Sequence, residues 1–96
     1  MTLPKKVKVG GIEFEIHYRT FEGLDCSAVC SFDKATITIN LDLCEAKREE
    51  ALIHEIFEII NEAHEMKLPH SKIMTLGTSM HQILIDNPRI FEGGLQ

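Results

Sequence analysis

The sequence predicts an α+β domain: a small antiparallel sheet of two hairpins followed by two helices. Apolar and polar residues alternate through the first half, apolar residues recur at helical spacing through the second, and the change falls near Glu45 with no linker between. A chain of 96 residues has room for one core, so a single domain is expected over 1–96. Its ordered part should run over about 6–87, with a loose tail over 88–96.

Val7-Lys8-Val9 and Ile12-Glu13-Phe14-Glu15-Ile16-His17-Tyr18 are alternating runs separated by Gly10-Gly11. That pair suits the positive φ angles of a tight hairpin turn. Residues 20–25 read as a loop. A second hairpin joins Ala28-Val29-Cys30-Ser31-Phe32 through Asp33-Lys34 to residues 35–41. There Ile37, Ile39 and Leu41 share one face and Thr36, Thr38 and Asn40 the other. From Glu45 the period changes: Ile53, Ile56, Phe57, Ile60 and Ala63 fall on one arc at about 100° per residue, predicting a helix over 45–67. Its opening run from Glu45 to Glu50, with Lys47 and Arg48, reads as a solvated first turn complementing the helix dipole. Pro69 restarts a second helix as a first-turn proline. Ile73, Leu76, Gly77, Met80, Ile83 and Leu84 form its apolar stripe, and Asn87-Pro88 ends it. Met66, Met74 and Met80 stand at spacings suited to core filling, and both helices are expected on one face of the sheet.

Composition narrows the function classes. The chain is 44% hydrophobic and 26% charged, an ordinary globular balance. Fifteen acidic against ten basic residues give a net charge of −5 with no basic stripe, which disfavours nucleic-acid partners. No apolar run approaches the roughly 18 residues of a membrane span, and Met1-Thr2-Leu3-Pro4-Lys5-Lys6 lacks the apolar core of a signal peptide. A soluble, cytoplasmic chain without membrane contact is the expectation. The three cysteines, Cys26, Cys30 and Cys44, are odd in number with no C-x-x-C pair, so reduced thiols are expected rather than a disulfide scaffold.

The chemistry concentrates in His54-Glu55-Ile56-Phe57-Glu58. Residues four apart on a helix lie one turn along the same side, so His54 and Glu58 can reach one ion, or simply bond each other on a solvated face. Glu55 beside them has the place of the general base in H-E-x-x-H metallopeptidases, here in the form H-E-x-x-E. Carboxylate oxygen ligates zinc at nearly the distance of imidazole nitrogen. A catalytic site normally takes a third protein ligand, and two histidines are candidates. His64 completes H-E-x-x-E-x-x-N-x-x-H, with Asn61 where a turn glycine stands in longer motifs of this kind. His70 follows Pro69 at the start of the second helix, where chain reach demands that the intervening loop fold back. His81 lies three turns beyond His70, too far to share its ion, and reads as a surface or hydrogen-bonded histidine. Tyr18 can in principle face an oxyanion, with packing as its simpler role.

With these residues in view, the chain resembles a family of small phage and prophage proteins. They are minimal zincin-type metallopeptidases distantly similar to the ImmA/IrrE-like group. The likeness runs from Val7 to Asn87, through Lys8-Val9-Gly10-Gly11-Ile12-Glu13-Phe14, Ile37-Thr38-Ile39-Asn40, Glu50-Ala51-Leu52-Ile53-His54-Glu55 and Gln82-Ile83-Leu84-Ile85-Asp86-Asn87. It implies His54 as first metal ligand, Glu55 as general base, Glu58 in place of the usual second histidine, and His70, within Leu68-Pro69-His70-Ser71-Lys72-Ile73, as third ligand. It further implies zinc or another divalent metal as cofactor, and a peptide or protein as substrate or partner. The strand over 37–41 is the candidate edge for aligning an extended peptide. Two other readings stand beside the peptidase: a catalytically degenerate metal-binding or protein-interaction module of the same shape, and a plain α+β domain in which His54 and Glu58 are structural.

Overall fold

The computed structural model describes residues 3–21 and 26–92. In it Gly10 and Gly11 take φ angles of 59° and 83°. Successive positive φ values are those of a type I′ turn, whose twist matches the strands it joins. The turn links β1 (Lys6–Val9) to β2 (Ile12–Arg19), antiparallel, with Val9 opposite Ile12 and Val7 opposite Phe14. β3 (Ala28–Ser31) and β4 (Thr36–Asn40) make the second antiparallel hairpin, with Cys30 opposite Ile37.

The hairpins join in an unexpected way. Strand order is β1-β2-β4-β3, and β2 pairs with β4 in parallel, Ile16 against Ile37 and Tyr18 against Ile39. The four-stranded sheet is therefore mixed, which corrects the purely antiparallel expectation. Burial explains the choice of central strand. Ile37 and Ile39 are completely buried, and Thr38 on the opposite face is 9% exposed, so β4 gains most from neighbours on both sides. β3, only four residues long and with Val29 exposed, suits an edge. The strand expected to be an edge is thus interior, and the edges are β1 and β3. Leu41 lies past the end of β4 and is exposed rather than sharing the buried face.

α1 (Glu45–Ala63) lays Ala51, Leu52 and Ile59 on the sheet, closing a core with Val9, Phe14, Ile16, Ile37 and Ile39. It stops short of Lys67. Glu65 and Lys67 adopt φ of 49° and 59°, and the Met66 N–H donates to the Asn61 carbonyl at 3.0 Å, which turns the chain out of the helix. Pro69 is the N-cap (φ −69°, ψ 154°) rather than a first-turn residue, and α2 (His70–Asp86) ends at Asn87.

α2 packs against α1 alone. The layers therefore run sheet, α1, α2, which corrects the expectation of both helices on the sheet. The physical reason is the width of the buried stripe on α2: Ile73, Gly77 and His81 are buried, enough for one neighbour. Leu76, Met80 and Ile83, expected to complete the stripe, are exposed, as are Met66 and Met74. Beyond α2, residues 88–92 form turns in which Ile90 N–H donates to Asn87 and Glu92 N–H to Arg89. The rest of the expected tail and most of the expected 20–25 loop lie outside the described residues. Among those residues no helix is long and apolar enough to cross a membrane.

Gly77 sets the spacing of the two helices. A Cβ added there would stand 3.3 Å from the His54 Cα, against backbone that moves only with its helix. Gly77→Val is expected to destabilise the fold by about 1–3 kcal/mol in urea unfolding through overpacking, whereas Ser79→Val on the exposed side of α2 should stay within about 0.5 kcal/mol.

Candidate metal centre

The helical repeat of α1 carries His54 and Glu58 one turn apart, and the chain after α1 brings the third group to them. Asn61 controls that return. Its Nδ2 donates to the Leu68 carbonyl at 3.1 Å, and its Oδ1 accepts the Leu68 N–H at 3.0 Å. Both main-chain polar groups of Leu68, two residues before His70, are thereby tied to the side of α1. The loop folds back, as chain reach required, and α2 starts alongside Glu58.

The result is a cluster. Donor atoms of His54, Glu58 and His70 lie within 4.8 Å of one another, and this group can hold a metal ion. The His54 and His70 rings meet edge to face, with centroids 5.0 Å apart and planes at 65°. Donors around a tetrahedral zinc stand roughly 3.3 Å apart, so modest rotation of exposed His70 and half-buried Glu58 closes the set. Two imidazoles and a carboxylate suit zinc and other first-row divalent ions, and three protein ligands leave a position for solvent or substrate.

The electrostatics favour a cation. Burial lowers the affinity of His54 for a proton, and His70 adds to this, against the opposing carboxylates of Glu58 and Glu50. A neutral imidazole is the form that ligates. Glu55 is 8% exposed and accepts no hydrogen bond from any described residue. No buried side-chain polar atom among those residues lacks a partner, so its carboxylate oxygens keep contact with solvent. Burial, and secondly the charge of Glu58, push its pKa up to about 7. Cys30, reaching in from β3, is pushed up to about 11 by burial and then by Glu55 and Glu58, so its thiol stays protonated near neutrality.

His54, Glu55 and His70 open onto a cleft of about 580 Å³. Ala28, Leu43, Ala51 and Met74 contribute apolar wall, and Lys47 and Glu50 polar wall. Ala28 belongs to the edge strand β3, so one border of the cleft is a sheet edge.

The remaining candidates lie elsewhere. His64 is the exposed C-cap of α1 and is not part of the cluster. Asn61 is helical, and the left-handed residues that follow α1 are Glu65 and Lys67, so the turn that the longer motif would place at Asn61 comes later. Tyr18 donates its hydroxyl to the Pro4 carbonyl at 2.6 Å and does not line the cleft. His81 is hydrogen-bonded as expected, and it is buried: Nε2 donates to Glu49 Oε1 at 3.0 Å, with Glu50 Oε2 3.9 Å from Nδ1. Glu49 is accordingly buried rather than part of a solvated turn, and Thr78 Oγ1 donates to Glu50 at 3.1 Å. Burial pushes the Glu49 carboxyl up, while hydrogen bonding and positive charge beside it, His81 included, bring it below its ordinary value. This polar lock between helices was missed in the sequence; its only signal there was a histidine within the apolar stripe of α2.

No protein-family model matches the sequence, and neither the curated proteins nor the solved structures contain a significant match.

The raised pKa of Glu55 has a stability consequence. Between its ordinary value of 4.5 and about 7 the folded metal-free protein binds more protons than the unfolded chain, so stability falls as pH rises through that window. Glu55→Gln lacks this penalty. In a chelator at pH near 8 the variant should exceed the parent by about 2–3 kcal/mol in urea unfolding, and near pH 4 the two should converge.

Proposed function

We propose that this protein is a divalent-metal-dependent hydrolase acting on peptide bonds, of the small phage and prophage zincin type that its sequence resembles. The observation that carries the reading is the convergence of His54, Glu58 and His70 from two helices next to a buried, unbonded Glu55 on a cleft wall. A zinc ion in such a set supplies a Lewis acid that lowers the pKa of water and polarises a carbonyl. Glu55 takes a proton from the attacking water at its carboxylate and passes it to the leaving nitrogen. The burial of its carboxyl raises its basicity, which favours the first transfer. Asn61 positions His70 through Leu68, and Gly77 lets α2 approach His54. β3, rather than the interior β4, is the strand edge beside the cleft along which an extended peptide aligns. The net charge of −5 fits a peptide or protein partner better than a nucleic acid, and a cytoplasmic location belongs to the same reading.

Glu58 favours a second reading. A carboxylate where the resembled family carries histidine makes the ion a weaker acid, which suits a metal-binding or protein-interaction module without turnover.

Glu55→Gln is expected to lower hydrolysis of a denatured-protein substrate by about 10²–10⁴-fold with zinc content and fold unchanged. Unchanged hydrolysis ends the peptidase mechanism, and a zinc-loaded parent with no hydrolysis leaves the silent module. His70→Ala should lose more zinc affinity than the roughly 10–100-fold cost of removing an outer-shell partner, while His64→Ala should retain zinc, both read by metal analysis after dialysis.

A further inference from the structure

The flank of the helix pair turned away from the cleft is apolar. On α2, Met74 and Thr78 line the cleft; Leu76 and Met80 each follow by two residues, about 200° round the helix. Leu76, Met80 and Ile83 are 44%, 39% and 44% exposed. On α1, half-buried Ile53 and Phe57 stand in the same relation to the cleft residues Ala51 and Glu55. The spacing of Leu76, Met80 and Ile83, four residues and then three, is the d-a-d seam of a coiled coil.

The flanking charges specify what fits that seam. In the same register Lys72, Ser79 and Asp86 occupy successive g positions on its solvent side, all three exposed. Lys72 and Asp86 each stand seven residues from Ser79, with opposite charge. An antiparallel copy of α2 centred on Ser79 therefore sets Lys72 against the second copy's Asp86, twice by symmetry. It also sets Leu76 near the second copy's Ile83 and the two Met80 side chains near the axis. In a parallel copy the g positions lie on opposite sides of the seam and face e positions, so Lys72 would meet Gly77 rather than an opposite charge. Within its own chain Lys72 makes no ion pair among the described residues, and Asp86 accepts one hydrogen bond, from Gln82 Nε2 at 2.9 Å, leaving a second oxygen. The small Ser79 at the centre lets the backbones approach.

We infer that α2 pairs antiparallel with α2 of a second copy of this chain, giving a two-fold homodimer with both clefts facing away from the interface. The apolar seam drives association, and the two Lys72–Asp86 pairs select copy and direction. A seam of one helix and its margin is small, so the dimer forms with a Kd on the order of micromolar to tens of micromolar.

Sedimentation velocity on the full chain tests this, with circular dichroism confirming helix content in each variant. The parent should be dimeric, and Met80→Glu monomeric. Lys72→Asp and Asp86→Lys, each creating two like-charge pairs, should each weaken the dimer by about tenfold or more. An equimolar mixture of those two variants, and the Lys72→Asp/Asp86→Lys double variant, should both recover dimerisation. A parent monomeric up to about 0.1 mM overturns the inference. So does a dimer indifferent to Met80→Glu, or single charge reversals that mixing does not rescue, since these assign the seam to some other partner or to none.

Discussion

The close approach of α2 to α1 is the constraint on which the site depends. His54 and Glu58 are neighbours by helical repeat alone, but His70 belongs to a different element and reaches them only because the helices are held close together. At one level Gly77 presents no side chain to the His54 backbone. At the other the Asn61 amide grips both polar groups of Leu68. Further along, His81 and Thr78 of α2 bond Glu49 and Glu50 of α1. The helices are thus joined by one close backbone contact and several directed polar ones beside the buried Ile73 of α2. Such contacts fix position more sharply than apolar packing does, and each has one satisfactory geometry.

The site gathers acidic groups. Glu55 and Glu58 face the same region, Cys30 approaches from the sheet, and the pKa values of Glu55 and Cys30 are raised for the same two reasons, burial and carboxylate proximity. Groups placed this way are unfavourable in isolation and favourable around a cation, which reverses the sign of each interaction. The arrangement is one that a fold maintains through its remaining contacts, here the core of Phe14, Ile37, Ile39 and Ile59 beneath α1.

Much of this was legible in the sequence, and the failures share a cause. The Gly10-Gly11 turn, all four strands and both helices follow from local period and turn chemistry, as does the His54–Glu58 pair. What the sequence could not show was relative placement. Strand order depends on which strand benefits most from the centre, and the complete burial of Ile37 and Ile39 is a tertiary outcome. The same limit applies to α2. Leu76, Met80 and Ile83 form as good a stripe as Ile73, Gly77 and His81, and periodicity alone does not say which one meets α1. For His70 against His64, spacing left both open and the resemblance favoured His70; the geometry depends on Asn61, whose role as a clamp has no local signature.

The layer order has a dynamic corollary. Since α2 rests on α1 and on no strand, it can peel away while the sheet and α1 keep their shared core, so it is the natural unit of partial opening. An ion held by His54, Glu58 and His70 would act as a staple across that seam, coupling the loosening of seventeen helical residues to its own release. Protection of the α2 amides against solvent deuterium would then serve as a gauge of metal occupancy, legible without any substrate in hand.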